Sequence, residues 1–119
     1  MDCRAAVRHL RRVDPRLRAV IDACGPCPLT PSNRYFYSLC NAIVSQQLAV
    51  KAAETIFRRF RGLFPRKTPT PARVLELSDA DFASVGLSRQ KTGYMRDLAA
   101  KFADGEIPVR RLSRITDDD

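Results

Sequence analysis

The sequence predicts an all-α fold, an array of about six or seven short helices, on three observations. Apolar residues recur at helical spacing in one segment after another. No segment makes a convincing β-strand. Pro, Gly and capping residues fall where one apolar stripe ends and the next begins.

Ala6, Val7, Leu10 and Val13 share one helical face. Asp14-Pro15 then restarts the chain, with Asp14 as N-cap and Pro15 at the first helical position. Leu17, Val20, Ile21 and Cys24 form the next stripe, and Gly25 is a fitting stop. A proline-rich connector over 26–32 leads to a helix capped by Ser32 or Asn33, with Phe36, Leu39, Cys40, Ile43 and Val44 inward. A further helix is expected from Val50 to Leu63, burying Ala53, Ile56, Phe57, Phe60 and Leu63.

Phe64 to Pro71 reads as a second connector, and Thr70-Pro71 opens a short helix through Val74, Leu75 and Leu77. Ser78-Asp79-Ala80-Asp81 resembles a capping box with Asp in place of Glu, starting a helix with Phe82 and Val85 that Gly86 stops. Ser88 caps the next helix, which buries Tyr94 or Met95, Leu98, Ala99 and Phe102 and ends at Gly105. Glu106 to Ile115 is expected to be an extended connector, and Thr116 with Asp117, Asp118 and Asp119 to be the first turn of another helix.

The chain has 119 residues, one domain's worth, and 45% of them are apolar. That is enough to bury a core and argues against general disorder. No apolar run approaches the roughly 18–20 residues of a membrane span. Seventeen of the 21 basic residues are arginine, and three terminal aspartates bring a body of +11 down to +8. Such charge favours an anionic partner, and guanidinium forks suit phosphates. The same arginines also fit a solvated surface. The arginine-rich start resembles a transit peptide, but Asp2, Asp14 and the scarcity of Ser argue against one. A cytoplasmic location is expected.

Cys24-Gly25-Pro26-Cys27 spells the thioredoxin dithiol, yet a helical stretch precedes it and Pro28 and Pro31 follow. Thioredoxins place that motif after a strand and at the start of a helix, which lowers the thiol pKa. Cys3, His9, Cys24 and Cys27 lack zinc-site spacing. An iron–sulfur cluster needs a tighter cysteine run. Cys40 lies on an apolar face and reads as a small buried hydrophobe. No metal and no cofactor is expected.

Two segments carry functional signal. In Asn41 to Ile56, two amphipathic helices meet at Gln46-Gln47-Leu48-Ala49, a polar interruption without Gly or Pro. Each glutamine amide both donates and accepts, so it can serve the edges of either base in a disturbed pair. The helix from Val50 also turns free N–H groups toward this corner, where a phosphate fits. A solvated corner explains the same residues. In the second segment, Gly86-Leu87-Ser88-Arg89-Gln90-Lys91-Thr92-Gly93-Tyr94, an exposed apolar Leu87 follows a helix-ending glycine. Arg89 and Lys91 stand in the first helical turn, where cations are mildly unfavourable unless an anion is near. Leu87 packing as a staple beside surface cations is the alternative.

The order Asp14-Pro15, Gly25-Pro26-Cys27, Ala42-Ile43-Val44-Ser45-Gln46-Gln47-Leu48, Ala52-Ala53, Thr55-Ile56, Pro69-Thr70-Pro71, Gly86-Leu87-Ser88, Lys91, Asp97-Leu98-Ala99 and Asp104-Gly105 resembles the DNA-3-methyladenine glycosylase II family. That family lies in the helix–hairpin–helix–Gly/Pro–Asp superfamily of base-excision repair, and the likeness runs from about Leu10 to Gly105. It places Gly25-Pro26-Cys27 at a plain interhelical turn. It implies an enzyme that flips an alkylated purine out of double-stranded DNA and hydrolyses its N-glycosidic bond without a metal.

By position, the resemblance makes Gln47 the wedge that fills the gap left by the flipped nucleotide, flanked by Gln46 and Leu48. Leu87 and Ser88 would press on the opposite strand, and Lys51, Arg89 and Lys91 complete the expected DNA-binding set. Two residues depart from the pattern: Ser45 replaces a frequent glycine, and Ala49 replaces the usual serine. The second change removes an N-cap hydroxyl worth about 1 kcal/mol.

The resemblance also implies an incomplete glycosylase fold. The hairpin with its Gly-rich turn and the catalytic aspartate are expected beyond Ile115, so no catalytic residue is assigned within this chain. Asp117, Asp118 and Asp119 fall in the linker position, where a terminal carboxylate lacks the placement catalysis needs. Residues 1–24 are expected to form N-terminal helices that pack on that missing part, and residues 25–119 a partial helical domain. A chain so bounded exposes apolar surface. It is expected to be monomeric when complete and open to self-association as a fragment. A DNA-binding remnant without excision and a helical protein-interaction module are the other readings.

Overall fold

The computed structural model describes residues 3–116, and every regular element among them is helical. The chain divides into two compact units, residues 1–32 and 33–119. The expectation for Asp117 to Asp119 lies outside the described residues.

The first unit pairs α1 (Cys3–Val13) with α2 (Pro15–Cys24). Asp14 separates them as read: its Oδ1 accepts from the N–H groups of Arg16 at 2.8 Å and Leu17 at 3.2 Å, and Pro15 occupies the first turn. Arg11 pairs with Asp22 at 2.6 Å, and Arg18 Nε donates to the Arg11 carbonyl at 3.0 Å. Gly25, at φ 79°, ends α2 in a conformation that costs a glycine little. Neither helix contains a buried residue.

The second unit is built from α3 (Tyr35–Ser45), α4 (Val50–Arg61), α5 (Pro71–Glu76), α6 (Asp79–Ser84), α7 (Arg89–Ala103) and α8 (Val109–Leu112), with a 3₁₀ turn at Pro65–Lys67. α7 is the organising element and packs against α3, α5 and α6, while α3 also packs on α4. Its fully buried Met95 and Ala99 meet Val44 and Cys40 of α3, Phe60 of α4, Val74 of α5 and Phe82 of α6 in one core. Phe60 is central: its ring lies 6.2 Å from Phe57, 6.3 Å from Phe82 and 4.9 Å from Phe64. Such offset and edge-on pairs add to the energy of area burial.

Caps behave largely as read. Thr70 accepts from the Arg73 N–H, and the Ser78–Asp81 box closes in both directions at 3.2 and 2.9 Å. The Ser78 N–H and hydroxyl hold the Asp81 carboxyl below the ordinary carboxylate range. That contribution to stability is present above the ordinary range and is lost as pH falls through the lowered value.

Several expectations are corrected. α3 begins at Tyr35, so Arg34 and not Ser32 or Asn33 is the N-cap; it makes no side-chain cap bond, and its guanidinium stacks 3.9 Å over Tyr37. Leu39, placed inward by periodicity, is exposed at 41%, as is Leu75 of α5 at 47%, because neighbouring helices cover only part of each apolar stripe. Phe64, assigned to a connector, is buried against Phe60. Residues 109–112 form a short helix inside the stretch expected to be extended.

Among the described residues no group of three or more His, Cys, Asp or Glu could hold a metal, and no helix is long and apolar enough to cross a membrane. Cys24 and Cys27 are exposed free thiols, whereas burial pushes the Cys40 thiol up to about 12. A small alkylating reagent at neutral pH, under reducing conditions, is therefore expected to label Cys24 and Cys27 in the folded chain. Cys40 should be labelled only after unfolding. Mass mapping that finds Cys40 labelled as fast as Cys24 would remove it from the core.

Candidate functional site

α3 and α4 meet in a four-residue corner whose backbone is now specific. Gln46 has φ −55° and ψ 126°, Gln47 has φ 56°, and the Leu48 N–H donates to the Ser45 carbonyl at 3.3 Å. These are the marks of a type II turn, whose third position requires positive φ and ordinarily takes Gly or Asn. A glutamine there costs roughly 1–2 kcal/mol of backbone strain. A strained residue at the tip of a turn is where function is to be sought.

Both glutamines and Leu48 are exposed. Ala49 is the N-cap of α4 in extended conformation, with no side-chain cap bond, as its departure from serine implied. Ala49→Ser is expected to raise stability by about 1 kcal/mol by satisfying a free N–H. In thermal unfolding that corresponds to a Tm higher by roughly 4–8 °C for a unit this small. An unchanged Tm would mean that the serine hydroxyl does not reach the helix.

α7 supplies the other wall. Ser88 caps it by accepting from the Lys91 N–H at 3.2 Å, and the Ser88 carbonyl accepts from the buried Thr92, from N–H and Oγ1 alike, at 2.9 Å. Lys91 then reaches back across the fold. Its Nζ donates to the carbonyls of Val44 and Gln46, both at 2.8 Å. The ammonium therefore satisfies the C-terminal carbonyls of α3, where a cation is favoured. An external anion is expected at Lys91 from the sequence; the fold itself already gives its ammonium two acceptors.

Of the two readings of Leu87, exposed or packed, the structure shows the second: it is 7% exposed and belongs to the core. α6 ends in a Schellman motif, with the Gly86 N–H on the Ala83 carbonyl at 3.0 Å and the Leu87 N–H on the Phe82 carbonyl at 3.2 Å. Gly86 stands at φ 95° as that motif requires, and the residue after it is where an apolar side chain turns inward.

Gln46, Gln47, Gln90, Lys91 and Tyr94 line one open cleft of about 420 Å³. Gln90 Nε2 donates to the Tyr94 hydroxyl at 2.7 Å, and Tyr94 is 47% exposed. Of the sequence-predicted residues, the structure brings Gln46, Gln47 and Lys91 together here. Arg89 lines a separate hollow with Asp79 and Arg96, and Lys51 lies on the exposed first turn of α4. Gln90 and Tyr94 were missed. Their signal was a polar pair at i and i+4 on one face of α7, obscured because Tyr94 and Met95 compete for the same inward stripe.

Chemically, the cleft offers three side-chain amides, the Tyr94 phenol and the Lys91 ammonium, and no carboxylate is among its lining residues. It can recognise hydrogen-bonding edges and flat rings.

Residues 40–118 match the family described as HhH-GPD superfamily base excision DNA repair protein. The chain is 26% identical over 106 residues to DNA-3-methyladenine glycosylase 1 of Schizosaccharomyces pombe, a match covering 86% of this chain and 46% of that protein. Among solved structures it resembles a DNA-3-methyladenine glycosidase from Bacillus halodurans, with a TM-score of 0.67 and 30% identity over 85% of this chain and 46% of the other. The chain thus spans about half the length of these relatives. An all-helical fold of the same kind and a family match over more than half of its residues place it plainly: the chain belongs to the HhH-GPD superfamily of base-excision DNA repair proteins.

Proposed function

We propose that the chain serves base-excision repair of alkylated DNA by gripping the duplex at the Gln46–Gln47 corner. Gln47 enters the space left when a damaged purine is flipped out, and N-glycosidic hydrolysis follows in the whole protein. The observation that carries this reading is the left-handed Gln47 at the tip of a turn, exposed beside a cleft of amide and phenol groups. A side chain that fills a gap between bases must project from a fixed backbone, and its amide can pair with either strand's base edges. The family match and the 3-methyladenine glycosylase named among the relatives support the substrate class. Seventeen arginines support a phosphate partner.

The test is the affinity of the 119-residue chain for a duplex with one abasic site, against the intact duplex, over a salt series. Preference for the abasic duplex, with affinity falling steeply as salt rises, is the expected result. Equal affinity for the two duplexes would overturn the wedge. Release of 3-methyladenine from methylated duplex by the whole protein tests the reaction itself; abasic-duplex binding without base release would leave a DNA-binding role alone. No carboxylate lining the cleft is the observation that favours this second reading for the isolated chain.

A further inference from the structure

We infer that Lys91 is a positioning residue that selects the conformation of the Gln46–Gln47 turn and does not itself bind phosphate. The inference rests on the reading of Gln47 as the gap-filling side chain.

Type I and type II turns differ in the orientation of their central peptide, here the Gln46 carbonyl and the Gln47 N–H. In type I the third residue takes negative φ, which any side chain accepts. In type II it takes positive φ, which a glutamine resists. By intrinsic preference, Ser45-Gln46-Gln47-Leu48 should therefore adopt type I. It is type II, and the Gln46 carbonyl is one of the two acceptors of the Lys91 ammonium.

The other acceptor, the Val44 carbonyl, belongs to a fully buried residue of α3. Together the two bonds fix the ammonium at one point, and a flip of the central peptide would carry the Gln46 oxygen away from it. Charge-assisted bonds at 2.8 Å are strong enough to offset the strain at Gln47.

The lysine is well suited to this task. Its backbone N–H is held by the Ser88 hydroxyl, and the next residue, Thr92, is buried and bonded to the Ser88 carbonyl. The ammonium thus projects from a rigid first turn of α7. It also lies in the first turn of a helix, where a cation is disfavoured, so it pays an electrostatic cost for reaching α3. Two of its three donors are spent on the turn, which makes it a poor phosphate ligand compared with the exposed arginines.

The experiment replaces Lys91 with Met in the full 119-residue chain. In the wild type, proton NMR should show the short Gln46 Hα to Gln47 N–H distance that marks a type II turn. In Lys91→Met this contact should give way to the short N–H to N–H contact of type I, while contacts around Met95 and Ala99 persist. Selectivity for the abasic over the intact duplex should fall about tenfold, as for loss of a base-edge contact. Lys91→Met combined with Gln47→Ala should be no worse than Gln47→Ala alone, because both act through one side chain.

The logarithmic salt slope should not change. A slope smaller by about one, with the type II contact intact and binding to both duplexes weakened equally, would make Lys91 a phosphate ligand and overturn the inference. Lys91→Leu, which keeps an aliphatic stem and has no donor for either carbonyl, is read in parallel; should the Met variant fail to fold, an unaltered turn in the Leu variant counts against positioning and a shift toward type I supports it. If the wild type shows no preference for the abasic duplex, the DNA reading fails while the turn contacts still decide the role of Lys91.

Discussion

Phe60→Ala is expected to cost the second unit about 3–5 kcal/mol, the range for truncating a fully buried aromatic ring. Phe60 has no exposed surface and touches three other rings, so its removal deletes apolar burial and three aromatic pairs at once. Those rings come from α4 itself, from the segment after it and from α6, so no single neighbour can move to fill the space without losing another contact. Small domains have only about 5–15 kcal/mol in total, so the variant should lie close to its folding threshold. Urea unfolding followed by circular dichroism measures this directly. Leu39→Ala is the paired control: 41% exposed, it is expected to change stability by less than about 1 kcal/mol. A Phe60→Ala loss no larger than that of Leu39→Ala would mean that the aromatic cluster is not the core.

That pair of leucine and phenylalanine also marks the limit of sequence reading. Features decided within four residues were legible: the Asp14-Pro15 restart, the Ser78–Asp81 box and the Ser88 cap all stand where the residue types put them. Periodicity located each apolar stripe but not its edges. Leu39, Leu75 and Tyr94 lie at such edges, and which is covered depends on how α3, α5 and α7 cross their neighbours. Phe64 escaped because a connector rich in proline gives no period from which to judge burial.

The site divides in the same way. The Gln46–Gln47 corner was legible as a polar break between two amphipathic helices. Its type II geometry was not, because the residue types at that turn favour the other form. What decides it is Lys91, from 45 residues away, and the sequence pattern around Lys91 suggests either a cation near an anion or a surface cation, neither of which points to the turn. Leu87 stayed undecided between an exposed and a packed reading for a related reason. After a helix-ending glycine, an apolar residue is exposed or buried according to whether the C-terminal motif closes, and here both of its hydrogen bonds form.

Gln47→Gly should move stability and DNA selectivity in opposite directions. Glycine adopts φ 56° without the roughly 1–2 kcal/mol penalty of a residue with a Cβ. It gives back about 0.4–1 kcal/mol through greater freedom of the unfolded chain, so the net gain lies between about 0 and 1.6 kcal/mol, centred near 1. The same change removes the amide that would occupy the gap, and selectivity for the abasic over the intact duplex should fall by roughly tenfold to a hundredfold. Gln47→Ala separates the two effects, since it keeps the Cβ and its strain but also lacks the amide. It should match the Gly variant in lost selectivity and show none of its added stability. A glutamine standing at a position that glycine fits better is what a functional residue looks like, with its strain offset elsewhere in the fold. Thermal unfolding and duplex titration of the three proteins decide the point. A Gly variant that binds the abasic duplex as tightly and as selectively as wild type would show that the turn backbone, and not the Gln47 side chain, does the recognising.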